Sequence, residues 1–197
     1  MTYITIATED ELSEAVGSRL LSDVLPEFTI IQKLRRQGNG YLKSRSRNFN
    51  SMALRHPVFL ITDLDNYPCA GQLINNWFRD LPVNPNLKFR VAVREIESWL
   101  LADHQGMTNL LDRAANNIVP DPDQLQNPKQ YLLERARRAS RDVRNDLTRM
   151  SGPTVKQGLG YNSRLCKFVE EVWDPNQASQ RSNSLARAIG RLNELRH

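Results

Sequence analysis

The chain has 197 residues, 40% of them hydrophobic, enough for one sizeable core and few for two full domains. Its 27 Lys and Arg against 22 Asp and Glu leave a net charge of +5, a mild excess suited to a polyanionic partner. Two distant cysteines, Cys69 and Cys166, exclude a disulfide framework or a cysteine-based zinc site; apolar runs too short to span a bilayer, with no leader-like N-terminus, point to a cytoplasmic protein with no membrane attachment.

Tyr3 to Ala7 (YITIA) alternates in the manner of a strand, and the acidic amphipathic segment Glu9 to Leu25 predicts a helix with Thr8 as its N-cap. Phe28 to Leu34 predicts a second strand. The Gly38-Asn39-Gly40 turn and a basic helix over about 41–54 follow, stopped by His56-Pro57. Val58 to Thr62 is continuously apolar, the pattern of a strand buried on both faces of a parallel sheet. A helix over Cys69 to Leu81, a strand over Leu87 to Val93 and a helix over Arg94 to Asp103 complete a regular alternation. Residues 1–105 therefore read as an α/β core, a mostly parallel Rossmann-like sheet flanked by helices.

From Gly106 the pattern turns mostly helical. It predicts a basic helix from Lys129 to Met150, a flexible polar connection over Ser151–Pro153 and Lys156–Gly160, and helices at about 162–173 and 182–195. This 106–197 part is expected to pack on the core within one compact domain. Trp77, Trp99 and Trp173 lie among aliphatic neighbours and read as core residues, and His56, His104 and His197 form no ligand spacing.

Function in such sheets gathers at the carboxyl ends of the strands, where loops converge on a crevice. Glu9 follows the first strand, Asp63 and Asp65 the central one, and Glu95 and Glu97 the LKFRVAV strand. Carboxylates brought together repel unless a hard cation neutralises them, and all-oxygen ligands suit Mg²⁺ or Mn²⁺. The alternatives are ordinary ones: Asp63 capping the turn made by Asn66 and Pro68, and Glu9 as one acid of a helix's first turn.

The segments ATEDE (7–11), VFLITDLD (58–65), FRVAVREIESWLLAD (89–103) and GYNSRLCKFVEEVWDP (160–175) together resemble the Toprim (topoisomerase-primase) fold. Within it they are similar to small stand-alone relatives of the nuclease half of OLD (overcoming lysogenization defect) ATPase-nucleases. The resemblance implies that Glu9 is a general acid/base or metal ligand, that Asp63 and Asp65 hold the metal, and that Glu97 completes a second metal position. The Toprim Glu is ordinarily followed by Gly, whereas Asp10 follows Glu9, so Glu11 is the alternative counterpart; Glu95 is the alternate to Glu97. Lys156 is a candidate to neutralise charge on a phosphate in the transition state, against its reading as a solvated loop lysine.

The expected activity is Mg²⁺- or Mn²⁺-dependent hydrolysis of a phosphodiester, in DNA in preference to RNA, in phage defence or DNA processing. A separate OLD-type ATPase subunit is the partner the resemblance implies, and a homodimer is the other expected assembly. The competing expectations are a non-catalytic subunit that binds an ATPase or nucleic acid, and a nucleotidyltransferase on the same metal cradle. Arg35, Arg36, Lys43, Arg45, Arg47, Arg137, Arg138 and Arg141, in two basic stretches, are the candidates for phosphate contacts.

Overall fold

The computed structural model describes residues 2–35, 39–79 and 81–196, the side chains of Asn39 and Arg113 excepted. The chain divides into two compact units. The first runs to Val93 and takes in the chain from Arg187 onward, and the second is Arg94–Ala186.

The first unit is β1 (Thr2–Thr8), α1 (Glu11–Val24), β2 (Phe28–Arg35), α2 (Asn39–Ser44), α3 (Ser46–Met52), β3 (Val58–Asp63), α4 (Ala70–Phe78) and β4 (Leu87–Ala92). Its four strands pair in parallel in the order β2-β1-β3-β4. This is an α/β architecture with a central parallel sheet flanked by helices, as the alternation of strand and helix signals predicts. The reason is visible in β3, where Val58, Phe59, Leu60 and Ile61 are all fully buried. Those side chains meet helices on both faces; α1 comes so close at Gly17 that an added Cβ would lie 3.0 Å from Ile61 Cδ1. On the other face Leu42, Phe49, Leu73, Trp77, Phe78 and Phe89 join Leu60 in one apolar cluster. β2 is an outer strand and alternates exposed with half-buried residues over its first half.

Two expectations are corrected here. Thr8 ends β1 rather than capping α1. The cap is Asp10, whose side chain accepts from Ser13 N at 2.8 Å. The basic helix expected over 41–54 is two short helices, α2 and α3, broken at Arg45, and the Gly38 part of the preceding turn lies outside the described residues.

The second unit continues with α5 (Glu97–Leu101), α6 (His104–Leu111), α7 (Pro128–Ala136), α8 (Arg141–Leu147), β5 (Thr148–Ser151), β6 (Thr154–Gln157), α9 (Tyr161–Glu171) and α10 (Pro175–Ser179). The division between units then falls within α11 (Asn183–Asn193). Every residue of α5 is buried, so the helix expected over 94–103, with one apolar side, is a shorter one buried on all sides. Trp99 Nε1 donates to Ser184 Oγ at 2.7 Å, and Trp173 Nε1 donates to the Trp99 carbonyl at 3.1 Å. Asp103 is buried and caps α6 by accepting from Gly106 N at 2.9 Å, while its other oxygen accepts from Asp174 N at 2.9 Å.

The long basic helix expected over 129–150 is also corrected. It breaks after Ala136, and α8 begins anew behind Ser140, which stands at the N-cap position without a side-chain cap hydrogen bond. Its last residues are β5, and the connection expected over 151–160 folds back as β6. Gly152, at φ +60°, supplies the left-handed turn of this hairpin.

Candidate functional site

Strand order decides where the first unit offers a crevice. The chain steps from β1 outward to β2, then returns to the far side of β1 for β3, so the reversal point of the sheet lies between β1 and β3. Doubly wound sheets bind ligands outside the carboxyl ends of the strands at that point. β1 and β3 run side by side, with Thr5 opposite Val58 and Ala7 opposite Leu60. Their carboxyl ends carry Glu9 and Asp63.

The segment ATEDE divides its tasks residue by residue. The Thr8 hydroxyl donates to the Asp10 carbonyl at 3.3 Å, and the Asp10 carboxylate is spent on capping α1. Glu11 is exposed in the first turn of α1. Glu9 alone turns toward β3: its Oε1 accepts from the Thr62 hydroxyl and from Asp63 N, the latter at 3.1 Å. Of the two candidates, Glu9 and Glu11, it is Glu9 that stands at the reversal point. Leu64 is buried and its N–H extends the sheet by donating to the Ala92 carbonyl at 2.9 Å. Asp65 beyond it is exposed at φ +48°, a left-handed conformation that Asp tolerates better than most residues.

Burial pushes the Glu9 carboxyl above its ordinary range, and the charges of Asp65 and Asp10 push the same way, against the hydrogen bonds from Thr62 and Asp63 N. Glu9 and Asp65 thus sense each other as like charges. A divalent cation relieves both the burial and the repulsion, and the donors are all carboxylate oxygens, so the chemistry of the site fits Mg²⁺ or Mn²⁺. Among the described residues no three His, Cys, Asp or Glu side chains stand together as a ready ligand set. A cation held by Asp63 and Asp65 beside Glu9 would therefore complete its shell with water or phosphate oxygens, the habit of Mg²⁺.

Comparison with protein-family models, with curated proteins and with solved structures gives no match.

Glu95, Glu97 and Lys156 belong to the second unit. Glu97 is 3% exposed; its Oε1 accepts from the Tyr161 hydroxyl at 2.7 Å and lies 3.9 Å from Lys129 Nζ. Lys129 Nζ also sits 5.0 Å from the centre of the Tyr161 ring, a cation–π contact. Glu95 Oε2 accepts from Lys129 N at 2.8 Å in the first turn of α7, where the helix dipole favours an acid. A surface cavity of about 260 Å³ beside them is lined by Glu95, Lys129, Gln130, Lys156 and Gln157. Arg149 stands directly opposite Lys156 on the β5–β6 hairpin.

Burial pushes the Glu97 carboxyl up to about 7, with Glu95 adding to the rise and Lys129 and Tyr161 opposing it. The folded chain then holds a proton that the unfolded chain releases near 4.5, so this carboxyl's contribution to stability is complete below about 4.5 and is lost as pH rises through about 7. Urea unfolding at a series of pH values should show wild-type stability falling across that window relative to Glu97→Gln, by on the order of 3 kcal/mol in total. A flat difference between the two proteins would show that Glu97 is ionised throughout.

The basic candidates fall in several places. Arg35 lies 3.7 Å from Glu14, which also sits 3.9 Å from Lys33, and Arg36 lies outside the described residues. Lys43, Arg45 and Arg47 are exposed; Lys43 and Arg47 share a surface hollow of about 420 Å³ with Arg79. Arg137 pairs with Glu134 at 3.7 Å, while Arg138 and Arg141 are exposed between α7 and the start of α8. Tyr161 is buried on Glu97, and Arg164 pairs with Asp146 at 2.9 Å. Sequence reasoning missed Thr62, which orients Glu9, and Lys129 as the partner of Glu97. A Thr just before a strand-end Asp and a Lys in the first turn of a helix are too common to signal either role.

Proposed function

We propose that the chain is a Mg²⁺- or Mn²⁺-dependent nuclease of the Toprim and OLD type, hydrolysing phosphodiester bonds at the carboxyl ends of β1 and β3. The observation that carries this reading is Glu9 crossing from β1 to accept hydrogen bonds from Thr62 and Asp63 N at the end of β3. Those bonds hold Oε1 and leave Oε2 to act. With its proton affinity raised, Glu9 is suited to take a proton at Oε2 from an attacking water, and Asp63 and Asp65 to hold a cation. The cation's contribution, when bound, is charge on a phosphoryl oxygen and a more acidic water.

Arg149 and Lys156 support a nucleic-acid substrate. Like charges set directly across a hairpin are destabilising by themselves, and a phosphate between them removes the conflict. Lys129 faces the same cavity as Lys156. The expected partner for this surface is a DNA backbone, and the resemblance to OLD proteins extends the proposal to an ATPase subunit.

The test is conversion of supercoiled plasmid to nicked or linear forms with Mn²⁺ or Mg²⁺, with EDTA as control. Cleavage abolished by EDTA supports the reading. Inactivity of the chain, both alone and with an added ATPase partner, would favour a non-catalytic binding subunit. Replacing both Arg149 and Lys156 with Gln is expected to weaken DNA binding at every sequence and to lower the salt dependence by about two charges' worth, measured as the slope of affinity against salt.

A further inference from the structure

The first unit holds a second cationic cluster, apart from Glu9, Asp63 and Asp65. Alternation along β4 turns Leu87, Phe89 and Val91 to the apolar cluster and Lys88 and Arg90 to the opposite face. There they meet the end of the chain. Lys88, 7% exposed, donates to Glu194 Oε2 at 2.9 Å, and Arg191 donates to Glu194 Oε1 at 2.8 Å. Both oxygens of Glu194 are thereby taken.

Arg90 has no such partner. Its hydrogen bonds go to the carbonyls of Phe89 and, at 3.5 Å, of Arg187, and among the described residues neither Arg90 nor Arg187 has a carboxylate within ion-pair distance. Arg187 and Arg191 are four residues apart on α11, a spacing at which like charges repel. Burial and the charge of Arg191, with a smaller push from Arg187, hold the Arg90 guanidinium below its ordinary range despite Glu194. Arg90, Arg191 and the buried Lys88 thus share one glutamate, with Arg187 adding charge of the same sign.

A cavity of about 260 Å³ opens beside this cluster, lined by Arg90, Arg191, Lys88 and Glu194 together with the apolar Ile74, Val83 and Pro85. A guanidinium fork matches the paired oxygens of a phosphate, and the apolar wall suits a ring. The volume is near the lower end for a small-molecule site, roughly 300 Å³, which favours a ligand of one ring system and one phosphate. We propose that this cavity binds a small phosphomonoester carrying a flat apolar group, a mononucleotide in size and chemistry.

The site shares no residue with Glu9, Asp63 or Asp65, so it holds or fails separately from the nuclease reading. The test is isothermal titration of the full chain in EDTA with adenosine 5′-monophosphate, adenosine and inorganic phosphate. The mononucleotide is expected to bind at least tenfold more tightly than either fragment. Arg90→Gln, and separately the exposed Arg191→Gln, is expected to weaken it by about tenfold or more, the loss of charge-assisted contacts. Should Arg90→Gln fail to fold, Arg191→Gln decides alone. Inorganic phosphate binding as tightly as the mononucleotide, no measurable binding, or binding unchanged in the folded variants would each overturn the proposal.

Discussion

Glu9→Gln is expected to lower metal-dependent cleavage by at least a hundredfold while leaving the fold intact. Gln keeps an acceptor at the Oε1 position, so the hydrogen bonds from the Thr62 hydroxyl and Asp63 N are retained. What it loses is the charge and the ability to take a proton at the other oxygen. General-base contributions are about 10²–10⁴-fold, which sets the size of the effect. Asp63→Asn should cost as much through loss of a cation ligand and should also abolish Mn²⁺ binding read by calorimetry. Initial cleavage rates at saturating Mn²⁺, with circular dichroism confirming the fold, check both. Full activity in Glu9→Gln would remove the site between β1 and β3 from the chemistry.

Trp99→Ala carries the largest expected loss of stability, about 3–5 kcal/mol, the range for emptying a fully buried large aromatic site. Trp99 is 0% exposed and sits in α5, whose five residues are all buried, so the gap opens inside the packed core of the second unit. The substitution also removes the 2.7 Å hydrogen bond from the indole Nε1 to the Ser184 hydroxyl. Urea denaturation should show the midpoint falling, and Trp99→Phe should lose clearly less. A loss under about 1 kcal/mol for Trp99→Ala would mean that the second unit repacks around the gap.

Much of the first unit was legible in the sequence because its strands announce themselves locally. Val58 to Ile61 is apolar at every position because both faces of β3 are covered, and the Asp63 that ends it marks the carboxyl edge of the sheet. Glu9 was legible as a strand-end acid, but its orientation was not. Thr8, Asp10 and Glu11 are equally good caps or first-turn acids on paper, and only the reach to Thr62, 53 residues on, separates Glu9 from them.

The second unit was harder to read. The 129–150 segment carries helical residues throughout, and its break after Ala136 and the pairing of Thr148–Ser151 with Thr154–Gln157 are tertiary choices that propensity does not encode. Glu97 looked like one more strand-end acid. Its burial depends on Tyr161, 64 residues away. Lys88 and Arg90 were hidden in plain alternation: they fall on one side of the LKFRVAV run, which reads as a solvated face until α11 covers it.

The pairing of Lys88 with Glu194 joins residues 106 positions apart, with the whole second unit spelled out between them. During synthesis the ammonium of Lys88 emerges with β4 and waits for its counter-charge until nearly two hundred residues have been made. The sheet of the first unit can pair as soon as β4 leaves the ribosome, but its last face closes only when α11 arrives. Arrival of α11, rather than completion of the strands, is then the step that seals this half of the molecule.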